Sequence, residues 1–162
     1  MKIEILHTNE ISDLDAAFAN MSRERQDSCR RLASPQARLL CVAADVAARR
    51  LVGDWQKDDS GKPICHNGYL SLAHSGEYAV AVWDEVPIGV DIEKLRSLSP
   101  ALAKRLGTEQ PLTEWLKREA YGKALGVGVY RVLNDPIPEG WEFSFPDAPD
   151  GYTIAICKKQ EP

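Results

Sequence analysis

Residues 68–93 read GYLSLAHSGEYAVAVWDEVPIGVDIE. Upstream of this stretch apolar residues return every three or four positions; within it they alternate, so helices give way to strands. Tyr69–Ala73 and Tyr78–Trp83 form two strands around a His74-Ser75-Gly76 turn, and Pro87 sets off a third, Ile88–Glu93. Just before them, Asp58–Asn67 is polar, holds Gly61 and Pro63, and reads as a loop. Further upstream, Ser34-Pro35 supplies a hydroxyl N-cap followed by proline at the first helical position, and the helix it opens runs to Val52 and stops at Gly53. Lys2–His7 alternates as a strand, and shorter helices follow over 12–21 and 23–33. Downstream, Pro111 opens a helix that ends at Gly126, and strands near Trp141–Phe145 and Tyr152–Cys157 close the chain. The fold class is α+β.

The pattern recurs. Ser34-Pro35 and its helix, Gly68-Tyr69, then Tyr78-Ala79-Val80-Ala81-Val82 are echoed by Gln110-Pro111 and its helix, Gly140-Trp141, then Tyr152-Thr153-Ile154-Ala155-Ile156. This repeat predicts a pseudo-dimer of two similar α/β-hairpin halves, 1–94 and 95–162, forming a single compact unit with the active site in the cleft between them.

At 162 residues and 18.0 kDa, with 44% hydrophobic and 27% charged residues, the chain is long enough to bury a full core. The longest near-apolar run, Leu39–Ala48, is broken by Asp45, which argues against a membrane span. An acid at position 4 argues against a signal peptide, so the expected location is the cytoplasm. A net charge of −4 argues against nucleic acid as partner. Arg23, Arg25, Arg30, Arg31, Arg38, Arg49 and Arg50 nevertheless crowd the first third, as solvated helix faces or as a site for phosphates or an acidic protein. Cys29, Cys41, Cys65 and Cys157 lack metal-site spacing and are expected as reduced thiols, several of them core filler.

Asp91 and Glu93, two apart on a strand, point the same way while Ile92 faces the core. Such a pair either faces solvent or shares a hard cation, Mg²⁺ or Mn²⁺. On the helix opened by Pro111, Glu119 has Lys123 one turn on and Trp115 one turn back, a surface salt bridge or a partly buried site. His74 is a structural histidine or part of a phosphate seat, and Lys62 is a cation between Gly61 and Pro63.

In order, Gly61-Lys62-Pro63, Ser71-Leu72-Ala73-His74-Ser75-Gly76, Gly89-Val90-Asp91-Ile92-Glu93 and Trp115-Leu116-Lys117-Arg118-Glu119-Ala120-Tyr121-Gly122-Lys123-Ala124-Leu125-Gly126 form a recognisable series. From about Ser22 to Gly126 it resembles the 4′-phosphopantetheinyl transferases of the pseudo-dimeric type that activates peptide, polyketide and fatty-acid synthases. The resemblance implies that coenzyme A is a substrate and that an apo acyl or peptidyl carrier protein accepts its phosphopantetheine arm on a serine, releasing 3′,5′-ADP. It implies Asp91, Glu93 and Glu119 as ligands of Mg²⁺ (or Mn²⁺), with Lys123 on the phosphate under attack. Glu119 would accept the serine proton, its pKa lowered by metal and lysine. His74, Arg25 and Arg38 would lie at the 3′-phosphate and Lys62 near the nucleotide, with Asp91 and Lys123 also facing the pyrophosphate. The family's repeat lets one chain build the site, so a monomer is expected.

Four features depart from the family pattern. Ala73 stands where a serine is usual, Arg118 replaces a lysine, Leu39 sits where a small hydroxyl residue is common, and only 21 residues separate Glu93 from Trp115, a shortened carrier-docking lip in which Arg96, Lys104 and Arg105 remain as candidate contacts. They leave room for the alternative of a coenzyme A-binding relative that has lost transferase activity.

Overall fold

Alternation along one strand sets the layering. In a computed structural model that describes residues 1–161, the chain runs β1 (Lys2–His7), α1 (Leu14–Ala19), α2 (Arg23–Arg30), α3 (Pro35–Val52), β2 (Trp55–Lys57), β3 (Pro63–Cys65), β4 (Tyr69–Ser75), β5 (Tyr78–Asp84), β6 (Ile88–Lys94), α4 (Pro100–Leu106), α5 (Pro111–Leu125), β7 (Trp141–Ser144) and β8 (Tyr152–Lys159). On β5, Ala79 and Ala81 pack with Leu6, Leu70 and the alanines of α3. Val80 and Val82 turn the other way, to meet Ile88, Val90 and Ile92 of β6 and Ile154 and Ile156 of β8. On β8 the alternate residues, Ala155 and Cys157, face Leu116, Ala120 and Ala124 of α5. Helix, sheet, sheet and helix thus stack in four layers, each strand serving two of them.

Both sheets are antiparallel. The first has the order β1-β5-β4-β3-β2 and the second β6-β8-β7. β6 lies within residues 1–94 yet pairs with β8 from the other segment, Asp91 opposite Ala155. Side-chain hydroxyls join the two sheets: Ser71 Oγ accepts from the Val90 amide (3.1 Å) and Ser75 Oγ from the Lys94 amide (3.2 Å). Both bonds span 19 residues, so β4 and β6 run alongside in the same direction.

The α3 signature holds in detail. Ser34 Oγ accepts from the Ala37 amide, Pro35 sits at the first position, and Gly53 closes the helix at φ +73°. Elsewhere the structure departs from the sequence reading. His74 and Ser75 are paired strand residues opposite Ala79 and Tyr78, and the turn is Gly76-Glu77, with Gly76 at φ +59°. The expected loop over 58–67 contains β3, which with β2 makes a small antiparallel hairpin. α4, capped by the Ser99 hydroxyl and ended at Gly107, lies in the shortened segment before Trp115, where the sequence reading assigns no element. α2 stops at Arg30, short of Ala33, and α1 covers 14–19 only.

Gly89 decides how closely α5 can lie on β6. A Cβ there would collide with the backbone of Ala120 and Ala124, so the helix rests directly on the strand. Gly89→Ala is expected to destabilise by on the order of 3 kcal/mol, lowering the urea midpoint while the m-value is unchanged.

All four cysteines are free. Burial pushes the Cys29 thiol up to about 11 and the Cys157 thiol to about 12, and Cys41 is also buried, whereas Cys65 is half-exposed. An aromatic disulfide reagent at pH 8 is expected to find one reactive thiol, lost in Cys65→Ser, and the other three only in denaturant. Among the described residues no helix is long and apolar enough to cross a membrane.

Candidate functional site

β6 points Ile88, Val90 and Ile92 into the apolar layer and leaves Asp91 and Glu93 on the face toward α5. Because α5 rests on Gly89, its one-turn pair Glu119 and Lys123 comes down beside these acids. Lys123 Nζ donates to Asp91 Oδ1 at 2.7 Å. The pair expected within the helix, Glu119 with Lys123, gives way to this cross-element bond, since Asp91 is more deeply buried and in greater need of a countercharge. Asp91 Oδ2 is buried with no hydrogen-bond partner. Burial raises the Asp91 pKa, with Lys123 opposing and Glu93 reinforcing the shift.

Glu119 was expected to titrate low. Burial instead raises its pKa; Lys123 opposes the shift only through space, and the charges of Asp91 and Glu93 add to it. Glu93 is held by Arg96, whose Nη2 and Nε lie 3.3 and 3.4 Å from its two carboxylate oxygens. Arg96 is thereby committed to Glu93, and Arg105 donates to Asn134.

A cavity of about 590 Å³ opens beside Lys123, lined by residues of α2, α3, the β2–β3 hairpin, β4 and the end of α5. Arg25, Lys62, His74 and Lys123 all reach it. The three carboxylates do not line it themselves; Asp91 stands behind Lys123. Arg38 lies outside: it is exposed, and its Nε donates to the Leu32 carbonyl beyond the end of α2. Solvent reaches the His74 ring, yet surrounding protein atoms, and secondarily Lys123, hold its pKa below the usual imidazole value, so it is neutral at pH 7. Lys62 Nζ donates to the Ala124 carbonyl at 2.7 Å, satisfying the C-terminal end of α5, and burial lowers its pKa. Arg25 is only 6% exposed; its guanidinium lies 4.8 Å from the Trp55 ring centroid, with Asp45 at 3.9 Å and Cys41 Sγ at 3.4 Å.

Several lining residues were not legible in the sequence: Cys41, the Gly126–Gly128 segment and above all Lys57, a fourth cation on a three-residue strand. Arg118 turns away, donating to Glu114 and to the Val132 and Asp135 carbonyls, so its exchange for lysine does not touch the cavity. Ala73, 4% exposed, belongs to the layer between the sheets and also lines the cavity, so this departure does touch the site.

The acidic face has the donor chemistry of a hard divalent cation: oxygen only, with one buried carboxylate oxygen lacking a partner. As the side chains stand, no three acid, imidazole or thiol groups among the described residues converge closely enough to enclose an ion, because Lys123 and Arg96 neutralise Asp91 and Glu93 instead.

No family model matches the chain. It is similar to 4′-phosphopantetheinyl transferase ffp of Bacillus subtilis, 24% identical over 119 residues that take in 65% of this chain and 53% of that protein. 4′-Phosphopantetheinyl transferase Sfp of Bacillus subtilis (strain 168) is 27% identical over 112 residues, 61% of this chain and 50% of the relative. A further Bacillus subtilis 4′-phosphopantetheinyl transferase aligns at 24% identity over 188 positions, 88% of this chain and 84% of its own. The chain spans about half the length of the first two relatives. These relatives are all 4′-phosphopantetheinyl transferases, and at 24–27% identity they support the superfamily that the motif series resembles.

The raised Glu119 pKa has a measurable sign. A folded-state pKa above the unfolded one stabilises most below the unfolded value, and that contribution disappears as pH rises through the folded value. In chelator, Glu119→Gln is therefore expected to melt a few degrees above the unsubstituted protein at pH 8, and the difference should close as pH falls into the ordinary carboxylate range.

Proposed function

We propose that the chain transfers the 4′-phosphopantetheine arm of coenzyme A to a serine of an apo acyl or peptidyl carrier protein, releasing 3′,5′-ADP, as a monomer in the cytoplasm. The observation that carries this reading is one cavity lined by Arg25, Lys57, Lys62 and Lys123, with Lys123 bonded to Asp91, whose neighbours are Glu93 and Glu119. A polyanionic nucleotide matches the first group and a divalent cation the second. The helix-on-sheet units of α3 and α5 are then the two copies of a pseudo-dimer, and coenzyme A occupies the cleft between them.

Asp91, Glu93 and Glu119 would hold Mg²⁺ or Mn²⁺. Bound there, the ion would neutralise charge on the pyrophosphate oxygens. For their part, the protein side chains position and move protons. Lys123 exchanges its bond to Asp91 for the phosphate under attack and steadies the transferred group. Glu119 takes the serine proton as the serine oxygen bonds to phosphorus and the bridging P–O bond breaks. Burial raises its pKa without the ion; with the cation and Lys123 beside it, Glu119 would be ionised and able to accept that proton. His74, neutral at pH 7, donates one ring N–H to the nucleotide end of the ligand, where Arg25 and Lys62 supply charge. Arg38 joins this group only if its bond to the Leu32 carbonyl is released.

The test is incubation with coenzyme A, Mg²⁺ and a panel of apo carrier proteins, each then weighed intact by mass spectrometry. At least one carrier should gain a phosphopantetheine, with the rate abolished by EDTA and reduced about a hundredfold or more by Asp91→Ala and Glu119→Gln. Coenzyme A binding without modification of any carrier would overturn the transferase reading in favour of a coenzyme A-binding relative that has lost activity.

A further inference from the structure

Trp55 and Lys57 are two apart on β2, so both side chains leave the same face of the strand. Arg25 lies over the Trp55 ring, and both Arg25 and Lys57 line the cavity, where the Arg25 charge acts on Lys57 through space. Their countercharges are poor. Asp45 is 3.9 Å from Arg25 Nε, beyond hydrogen-bond reach, and that nitrogen is buried without a hydrogen-bond partner. Lys57 has no carboxylate within ion-pairing distance among the described residues; burial, then Arg25, lowers its pKa, and Cys41 and Glu24 oppose this only through space.

At the other end of the cavity the cations are engaged, Lys123 with Asp91 and Lys62 with the Ala124 carbonyl. These two positive groups on one cavity wall, Arg25 only 6% exposed and Lys57 half-buried, repel each other and lose hydration. A dianion seated between them would relieve both costs. A phosphomonoester supplies two charges on one group, and the guanidinium fork and the ammonium point charge suit its oxygens.

We propose that Lys57 adds a second cation to Arg25 for a terminal phosphomonoester, and that it makes the cavity discriminate between a ligand that carries this group and the same ligand without it. The proposal rests on coenzyme A, which bears one phosphomonoester, being the ligand. The family resemblance brought Arg25 to that group but gave Lys57 no role.

The experiment compares binding of coenzyme A and dephospho-coenzyme A by calorimetry at fixed ionic strength, for the unsubstituted protein, Lys57→Gln and Lys57→Arg. Thermal melts establish that each variant is folded. Losing one charge-assisted contact should weaken coenzyme A by about tenfold or more in Lys57→Gln, leave dephospho-coenzyme A within about twofold, and be largely restored in Lys57→Arg. Equal weakening of both ligands, or of neither, overturns the proposal. Inorganic phosphate titrated into the same three proteins separates the two failures. Phosphate binding that depends on Lys57, without coenzyme A binding, keeps the phosphate site and overturns coenzyme A as ligand; binding of neither overturns the phosphate site itself.

Discussion

The contact on which the site depends is that of α5 with the bare backbone of β6 at Gly89. A helix normally stands off a sheet by the depth of its side chains. Here the missing side chain brings Ala120 and Ala124 onto the strand, and their neighbours Glu119 and Lys123 descend with them. The Lys123–Asp91 ion pair at 2.7 Å is the electrostatic result. A larger residue at position 89 would lift the helix and separate the cation-lined cavity from the acids behind it.

That ion pair also joins two regions of opposite sign. Arg25, Lys57, Lys62 and Lys123 share the cavity wall, while Asp91, Glu93 and Glu119 gather on the strand–helix face. Each region alone would be costly. Burial raises the pKa of Asp91 and of Glu119 on the acidic side and lowers that of Lys57 and of Lys62 on the basic side. All four shifts disfavour charge, the physical signature of a surface built to be neutralised by something else. Several arginines of the first third have local partners instead: Arg30 with Asp27, Arg49 with Asp54, Arg50 with Glu4.

Periodicity made the site's backbone legible. Asp91 and Glu93 share a face because a strand repeats every two residues, and Glu119 and Lys123 because a helix repeats every 3.6. Which acid Lys123 would choose was not legible, since the answer lies in the distance between elements whose bonded residues are 32 positions apart. His74 was read into a turn because Ser75-Gly76 is a turn-like pair, yet the antiparallel ladder with β5 carries through Ser75. Lys57 escaped notice because a three-residue strand has too little alternation to register; its place on the cavity wall gives it meaning. α4 was a different kind of miss. Its Ser99-Pro100 start and Gly107 stop repeat the α3 signature, and nothing about that helix was hidden.

The hydroxyls of Ser71 and Ser75 have a consequence outside the site. β6 is the terminal strand of its sheet, and β4 pairs with β3 only at Tyr69, so both present open rims along their lengths. Unpaired amides of this kind recruit strands from other molecules. By accepting from the amides of Val90 and Lys94, two serines close the β6 rim without committing the sheets to one continuous ladder. The seam is thereby guarded against self-association in solution, by small polar side chains where many sheets rely on charge or proline.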